Sequence, residues 1–174
     1  MNLDEIMALR KTTRSYTDEP VSEEDIQAIL RAGETAPLAL SDDETTFITV
    51  VQDPELLSEI REVCKKKYKN GTTKDSYYGA PVIIYLSAAD VSPDHIEYSN
   101  VACVIENMIL KATELGLGST YVWGCLRKLR ASEETVEKLK LPDGAEVLSA
   151  LAIGHPVEAL TPRDVTEKMR IMRL

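Results

Sequence analysis

Metal-ligating and disulfide-forming residues are scarce in this chain, which has 3 cysteines and 2 histidines among 174 residues. Cys64, Cys103 and Cys125 are odd in number and widely spaced, with no CxxC pair. That excludes a disulfide framework and fits reduced thiols in the cytoplasm. His95 and His155 have no second ligand nearby in sequence, so no zinc site is expected. No apolar run is long enough to span a bilayer, and "MNLDEIMALRK" lacks the apolar core of a signal peptide. Positive charge is short as well. Lys and Arg number 20 against 29 Asp and Glu, a formal net charge of −9 that argues against nucleic acid or an anionic membrane as the main partner. Phosphate-loop, dinucleotide and nucleophile-elbow patterns (GxxxxGK[ST], GxGxxG, GxSxG) are all missing.

With 44% apolar and 28% charged residues, the composition is that of an ordinary globular protein. The length is most simply one domain over residues 1–174, large enough to bury a core. Against the acidic background, "LRKTTRSY" stands out, with Arg10, Lys11 and Arg14 separated by Thr12 and Thr13. A solvated helix end would account for it. So would a site for a small anion, because guanidinium, ammonium and hydroxyl donors suit a phosphate.

Leu3, Ile6, Met7 and Leu9 form a short helical stripe that ends at this cluster. A second helix starts at the N-cap Ser22, with Asp25 at its third position, Val21 placed to staple onto Ile26, and Pro37 closing it. "TTFITVV" (45–51) reads as a strand, and Asp53-Pro54 opens a helix running to about Lys67. Lys65, Lys66 and Lys67 then read as that helix's solvated end. "KYKNGTTKDSYYGA" reads as a loop and "PVIIYLSA" (81–88) as a buried strand. From Asp94 to Leu115, apolar residues recur every three or four positions, and Gly116 supplies the cap of a long helix. "GLGST" (116–120) is therefore helix cap and turn, not a phosphate loop. "STYVWG" follows as a strand, "ASEETVEKLKL" as a capped helix, and "EVLSALAIG" as a buried strand. Together these predict an α+β or α/β sandwich with helices over a mixed sheet.

Five segments in this order resemble the nitroreductase family of flavin enzymes, from about Leu3 to Pro156. They are "LRKTTRSYTDEPVSEEDIQAILRAGETAP", "TTFITVV", "YYGAPVIIYL", "NVACVIENMILKATELGLGSTYVWG" and "LPDGAEVLSALAIGHP". The resemblance implies an α+β three-layer sandwich, helices packed on a mixed, mainly antiparallel sheet, and FMN as cofactor, with its phosphate and ribityl chain held by Arg10, Lys11, Thr12 and Arg14. It places Val122, Trp123 and Gly124 beside the flavin's redox edge, although a lone tryptophan is also commonly core. Lys74 is implied at the flavin's pyrimidine edge. Arg163, Lys168 and Arg170 are rival cations for completing the phosphate site. Cys125, next to Gly124, reads as a packed thiol.

The loop "APLALSDDETTF" departs from the family's Ser- and Asn-containing pattern. Backbone contacts to the partner subunit's flavin from Pro37, Leu38 and Ala39 remain open, while recognition through Ser41 is shorter. Asp42, Asp43 and Glu44 either face water or place negative charge near the flavin, which would lower its potential. The family further implies a homodimer with a shared flavin site and NADH or NADPH as co-substrate. Hydride would pass through the flavin to a nitroaromatic, quinone or similar small-molecule acceptor. A flavin carrier or sensor with little turnover, or a relative with different flavin chemistry, is the alternative that the divergent loop supports.

Overall fold

The computed structural model describes residues 1–39, 44–164 and 169–174. In chain order the elements are α1 (Leu3–Leu9), α2 (Glu23–Glu34), β1 (Thr46–Val51), α3 (Pro54–Cys64), β2 (Lys66–Lys67) and β3 (Thr73–Lys74). They continue with β4 (Val82–Ala88), α4 (Ile96–Glu114), β5 (Gly118–Val122), α5 (Leu126–Arg130), α6 (Glu133–Lys138) and β6 (Glu146–Gly154). Among the described residues, no helix is long and apolar enough to cross a membrane.

A four-stranded sheet in the order β1-β4-β6-β5 forms the middle layer, and each of its neighbouring pairs is antiparallel. A parallel pairing enters through the isolated bridge between Thr12 and Ser119. Every residue of β4 is buried, which explains its unbroken apolar run: both of its faces are covered. Val82, Ile84 and Leu86 pack with Ile26 and Ile29 of α2 and with Val101, Ile105 and Met108 of α4. Ile83 and Tyr85 point the other way, onto Leu57 and Ile60 of α3 and Leu126 and Leu129 of α5. Removing each of these large aliphatic side chains from water contributes about 1.5–3 kcal/mol. A bulge between Leu86 and Ser87 shifts the register against β6. It puts Val147 and Ala150, three apart, on the same face.

The caps follow the sequence closely. Ser22 Oγ accepts from the Asp25 N–H, and Asp53 accepts from the Leu56 N–H with Pro54 in the first turn of α3. Gly116, at φ +79°, follows the end of α4. Three readings need correction. Helix α3 stops at Cys64 because Lys65 turns extended (ψ 131°) and Lys66 and Lys67 pair with Lys74 and Thr73. The segment after it is thus a small hairpin and not a loop, turning at Asn70-Gly71 with Gly71 at φ +85°. Ser132 makes no side-chain cap to the backbone; its hydroxyl pairs with that of Thr135 at 2.9 Å. The short helix α5 was not expected from the sequence.

Candidate functional site

Helix α1 opens with a reciprocal capping box between Asn2 and Glu5 and ends at Arg10, where the backbone turns extended. The basic segment then runs along β5 and the end of β6. Thr13 N–H donates to Ser119 O at 2.9 Å, and Thr17 N–H donates to His155 O at 2.9 Å. The approach is close enough that a Cβ on Gly118 would lie 2.6 Å from Thr13 Cγ2 and Oγ1. Thr120's hydroxyl donates to the Thr13 carbonyl. The Tyr16 hydroxyl lies 3.0 Å from Thr120 Oγ1 and 3.1 Å from that carbonyl oxygen. Burial pushes the Tyr16 phenol up to about 12, so it stays protonated and works as a fixed strut. Arg10, Lys11 and Arg14 are therefore presented from a strapped-down backbone, not from a frayed helix end.

A cavity of about 360 Å³ opens against this segment, lined by Lys11 to Ser15 and by Pro156, Val157 and Glu158. The C-terminal stretch folds back beside it. Lys11 Nζ donates to Ala159 O at 3.3 Å, and Arg163 donates from its backbone N–H to Ala8 O at 3.1 Å. The Arg163 guanidinium reaches Met7 O at 3.5 Å. Arg170 is exposed, and Lys168 lies outside the described residues. Two cations and the Thr12 and Ser15 hydroxyls against one carboxylate, Glu158, make a donor set suited to a phosphate dianion.

A second cavity, of about 370 Å³, lies beyond Tyr78. Asp75 builds the turn that presents this tyrosine: its carboxylate accepts from Tyr77 N–H at 2.9 Å and from Gly79 N–H at 2.7 Å. Arg61 Nε stands 3.5 Å from Asp75 Oδ2. Tyr78 itself sits at φ +59°, an uncommon conformation for a residue with a side chain. Its ring has the Arg14 guanidinium 6.0 Å from the centroid and Lys74 Nζ 4.8 Å from it. Tyr78 thus joins the two cavities, with a cation from the first and a cation from the second over one ring.

Lys74, Val122, Trp123 and Gly124 all line this second cavity, together with Lys66, Tyr68, Tyr121, Cys125 and Lys128. Trp123 is 59% exposed, so it is no core residue; it stands at the rim while Val122 beside it is buried. Four aromatic rings and three ammonium groups in a cavity of this size suit a flat ligand that gains negative charge. Tyr68, Tyr78, Lys66 and Lys128 were not anticipated. The Asn-Gly turn could have pointed to the hairpin that delivers Lys66 and Tyr68; the left-handed turn at Tyr78 leaves no sequence signal.

Pro37, Leu38 and Ala39 line neither cavity. Leu38 packs with the α2–α4 cluster, on the sheet face opposite the second cavity, and Ala39 N–H donates to Asn100 Oδ1 at 2.8 Å. Leu38 instead borders a groove of about 660 Å³ with Thr46 to Thr49 of β1 and Val104 of α4. Glu44 is exposed to water. Ser41, Asp42 and Asp43 lie outside the described residues.

The nitroreductase family model matches residues 7–155. An FMN reductase, NAD(P)H, of Bacillus subtilis (strain 168) is 30% identical over 168 residues, which covers 85% of this chain and 63% of that protein. A nitroreductase with bound FMN from Bacteroides fragilis NCTC 9343 superposes with a TM-score of 0.82 at 26% identity, over 99% of this chain and 100% of that one. At 23% identity, the nitroreductase of Desulfitobacterium hafniense DCB-2 shares the fold with a TM-score of 0.80, covering 100% of this chain and 99% of its own.

Proposed function

Because the chain belongs to the nitroreductase family, we propose that residues 1–174 form one FMN-binding domain with the cofactor laid across the two cavities that Tyr78 joins. The chemistry is that of an FMN-dependent NAD(P)H oxidoreductase. When bound, FMN supplies hydride transfer from NADH or NADPH to a nitroaromatic, quinone or similar acceptor. The residues of the chain bind, orient and set the charge. Arg10, Lys11, Thr12 and Arg14 hold the phosphate, and Arg163 completes that end in preference to Arg170. Its ties to Met7 and Ala8 support this choice. Val122, Trp123 and Gly124 line the seat of the ring. Lys66, Lys74 and Lys128 place positive charge around it, which favours the negative charge that arrives with a hydride. The observation that carries the reading is the Tyr78 ring with two cations against it, the Arg14 guanidinium 6.0 Å and Lys74 Nζ 4.8 Å from its centroid. Oxidation of NADH or NADPH with a quinone, dependent on added FMN, separates this enzyme from a flavin carrier, which would bind FMN and turn over neither nucleotide.

Nitroreductases are generally dimeric, and we further infer a homodimer in which Pro37, Leu38 and Ala39 serve the partner's flavin. Their place on the sheet face opposite their own chain's second cavity supports this, as does the half-buried edge strand β1 beside them. Light scattering is expected to give about 39 kDa, twice the 19.3 kDa chain. A stable monomer holding stoichiometric FMN would contradict the shared site. The acidic chain, and a co-substrate supplied inside cells, favour a cytoplasmic location.

A further inference from the structure

Cys64 and Cys125 are 61 positions apart in sequence, yet both line the wall of the second cavity. Cys64 closes α3 and is fully buried; Cys125 precedes α5 and is half-buried. Cys64 Sγ lies 3.9 Å from the Cys125 carbonyl oxygen, so the two residues meet on one stretch of that wall. A chain of buried hydroxyls ends on this pair. Tyr85 Oη donates to Tyr77 Oη at 2.9 Å, and Tyr77 Oη is 3.5 Å from Cys64 Sγ. Having accepted from Tyr85, Tyr77 is left with its own proton to donate, and sulfur is its partner. Both phenols are fully buried among Leu57, Ile60 and Ile83, where a hydroxyl without a partner is costly. The core thus carries a polar relay whose end is the dithiol.

We propose that Cys64 and Cys125 are a redox-active dithiol, an oxidation site at which a hydroperoxide closes a disulfide in the cavity wall. The assignment of roles follows from the surroundings. Cys125 is the half-buried thiol open to the cavity, and its interaction with Cys64 holds it below the ordinary thiol range against the opposing effect of burial. Contact with Cys125, and then burial, push Cys64 up. The charged groups facing the pair are the ammoniums of Lys66, Lys74 and Lys128, with Asp75 offset by Arg61. Cys125 is therefore the thiolate, and Cys64 keeps its proton.

The Cys125 thiolate attacks the terminal oxygen of the hydroperoxide; the O–O bond breaks and the alkoxide leaves, taking up a proton as an alcohol. Cys64 sulfur then attacks the sulfenic sulfur of Cys125. The S–S bond forms, the S–O bond breaks, and hydroxide leaves with the Cys64 proton as water. Two thiols and one hydroperoxide give one disulfide, one alcohol and one water. The two electrons lost by sulfur are gained by the peroxide.

The test is peptide mapping of the full-length protein after exposure to tert-butyl hydroperoxide, with free thiols blocked before digestion. A Cys64–Cys125 cross-link that dithiothreitol reverses is expected. It forms faster as pH rises, with a midpoint below the ordinary thiol value of about 8.5. In Cys64→Ser the reaction stops at a sulfenic acid on Cys125, which dimedone traps; in Cys125→Ser the cross-link is lost and Cys64 stays reduced. The wild-type map needs no variant to fold. Oxidation confined to the exposed Cys103 would overturn the proposal, and so would Cys125 advancing to sulfinic acid while Cys64 remains reduced.

Discussion

Arg14→Ala is expected to weaken FMN by about 10- to 150-fold while changing riboflavin affinity far less. The range follows from the roughly 1.5–3 kcal/mol of a hydrogen bond to a charged group. Arg14 is the sharper choice over Arg10 because it lines the cavity formed by the basic segment, and Arg10 does not. Riboflavin lacks the phosphate but keeps the ring. Its smaller loss measures only what Arg14 contributes over Tyr78, about 0.5–1 kcal/mol for a cation beside a half-buried ring that is open to solvent on the cavity side. The readout is built in: Trp123 is the chain's only tryptophan and stands at the rim of the second cavity. Quenching of its fluorescence reports binding of either ligand. Equal losses for FMN and riboflavin would remove Arg14 from the phosphate site.

Gly118→Ala should cost stability and cofactor affinity together. The added methyl would lie 2.6 Å from two atoms of Thr13 and 2.9 Å from its Cβ. Thr13 cannot simply swing aside, because its N–H is bonded to Ser119 O and its carbonyl receives the Thr120 hydroxyl. Overpacking of this kind costs about 1–3 kcal/mol, and each kcal/mol lowers Tm by about 2–4 °C in a chain of this size. The strap must move off β5, carrying Arg14 with it, so FMN affinity falls as well. Gly124→Ala is the matched control for stability, since a Cβ there would meet nothing within 4 Å. A Tm for Gly118→Ala equal to that of the control would mean that the segment is not held as described.

Local signals carried most of the fold. The Ser22 and Asp53 caps, the apolar spacing of α4 and the continuous runs of β4 and β6 each follow from a few neighbouring residues. The misread end of α3 and the missed hairpin share one cause. Lys65, Lys66 and Lys67 have the propensity to continue a helix, but Lys66 and Lys67 pair instead with Thr73 and Lys74, across the Asn70-Gly71 turn. Pairing between distant residues overrode local preference.

The site divides along the same line. Arg10, Lys11 and Arg14 were visible as a charge contrast, whereas Val122, Trp123, Gly124 and Lys74 were named only through family resemblance. Tyr78 escaped both routes, because its role depends on a left-handed turn set by Asp75 and on cations from two separate segments. The thiol pair was invisible for a similar reason: only the packing of α3 against α5 brings Cys64 to Cys125.

The central claim is that this chain holds FMN and passes a hydride through it, and anaerobic titration of the FMN-loaded protein with NADH or NADPH tests it most directly. The account predicts that the visible flavin band bleaches in proportion to the nucleotide added and returns when a quinone is introduced. Protein that takes up no FMN on reconstitution, or holds it and is bleached by neither nucleotide, would contradict it.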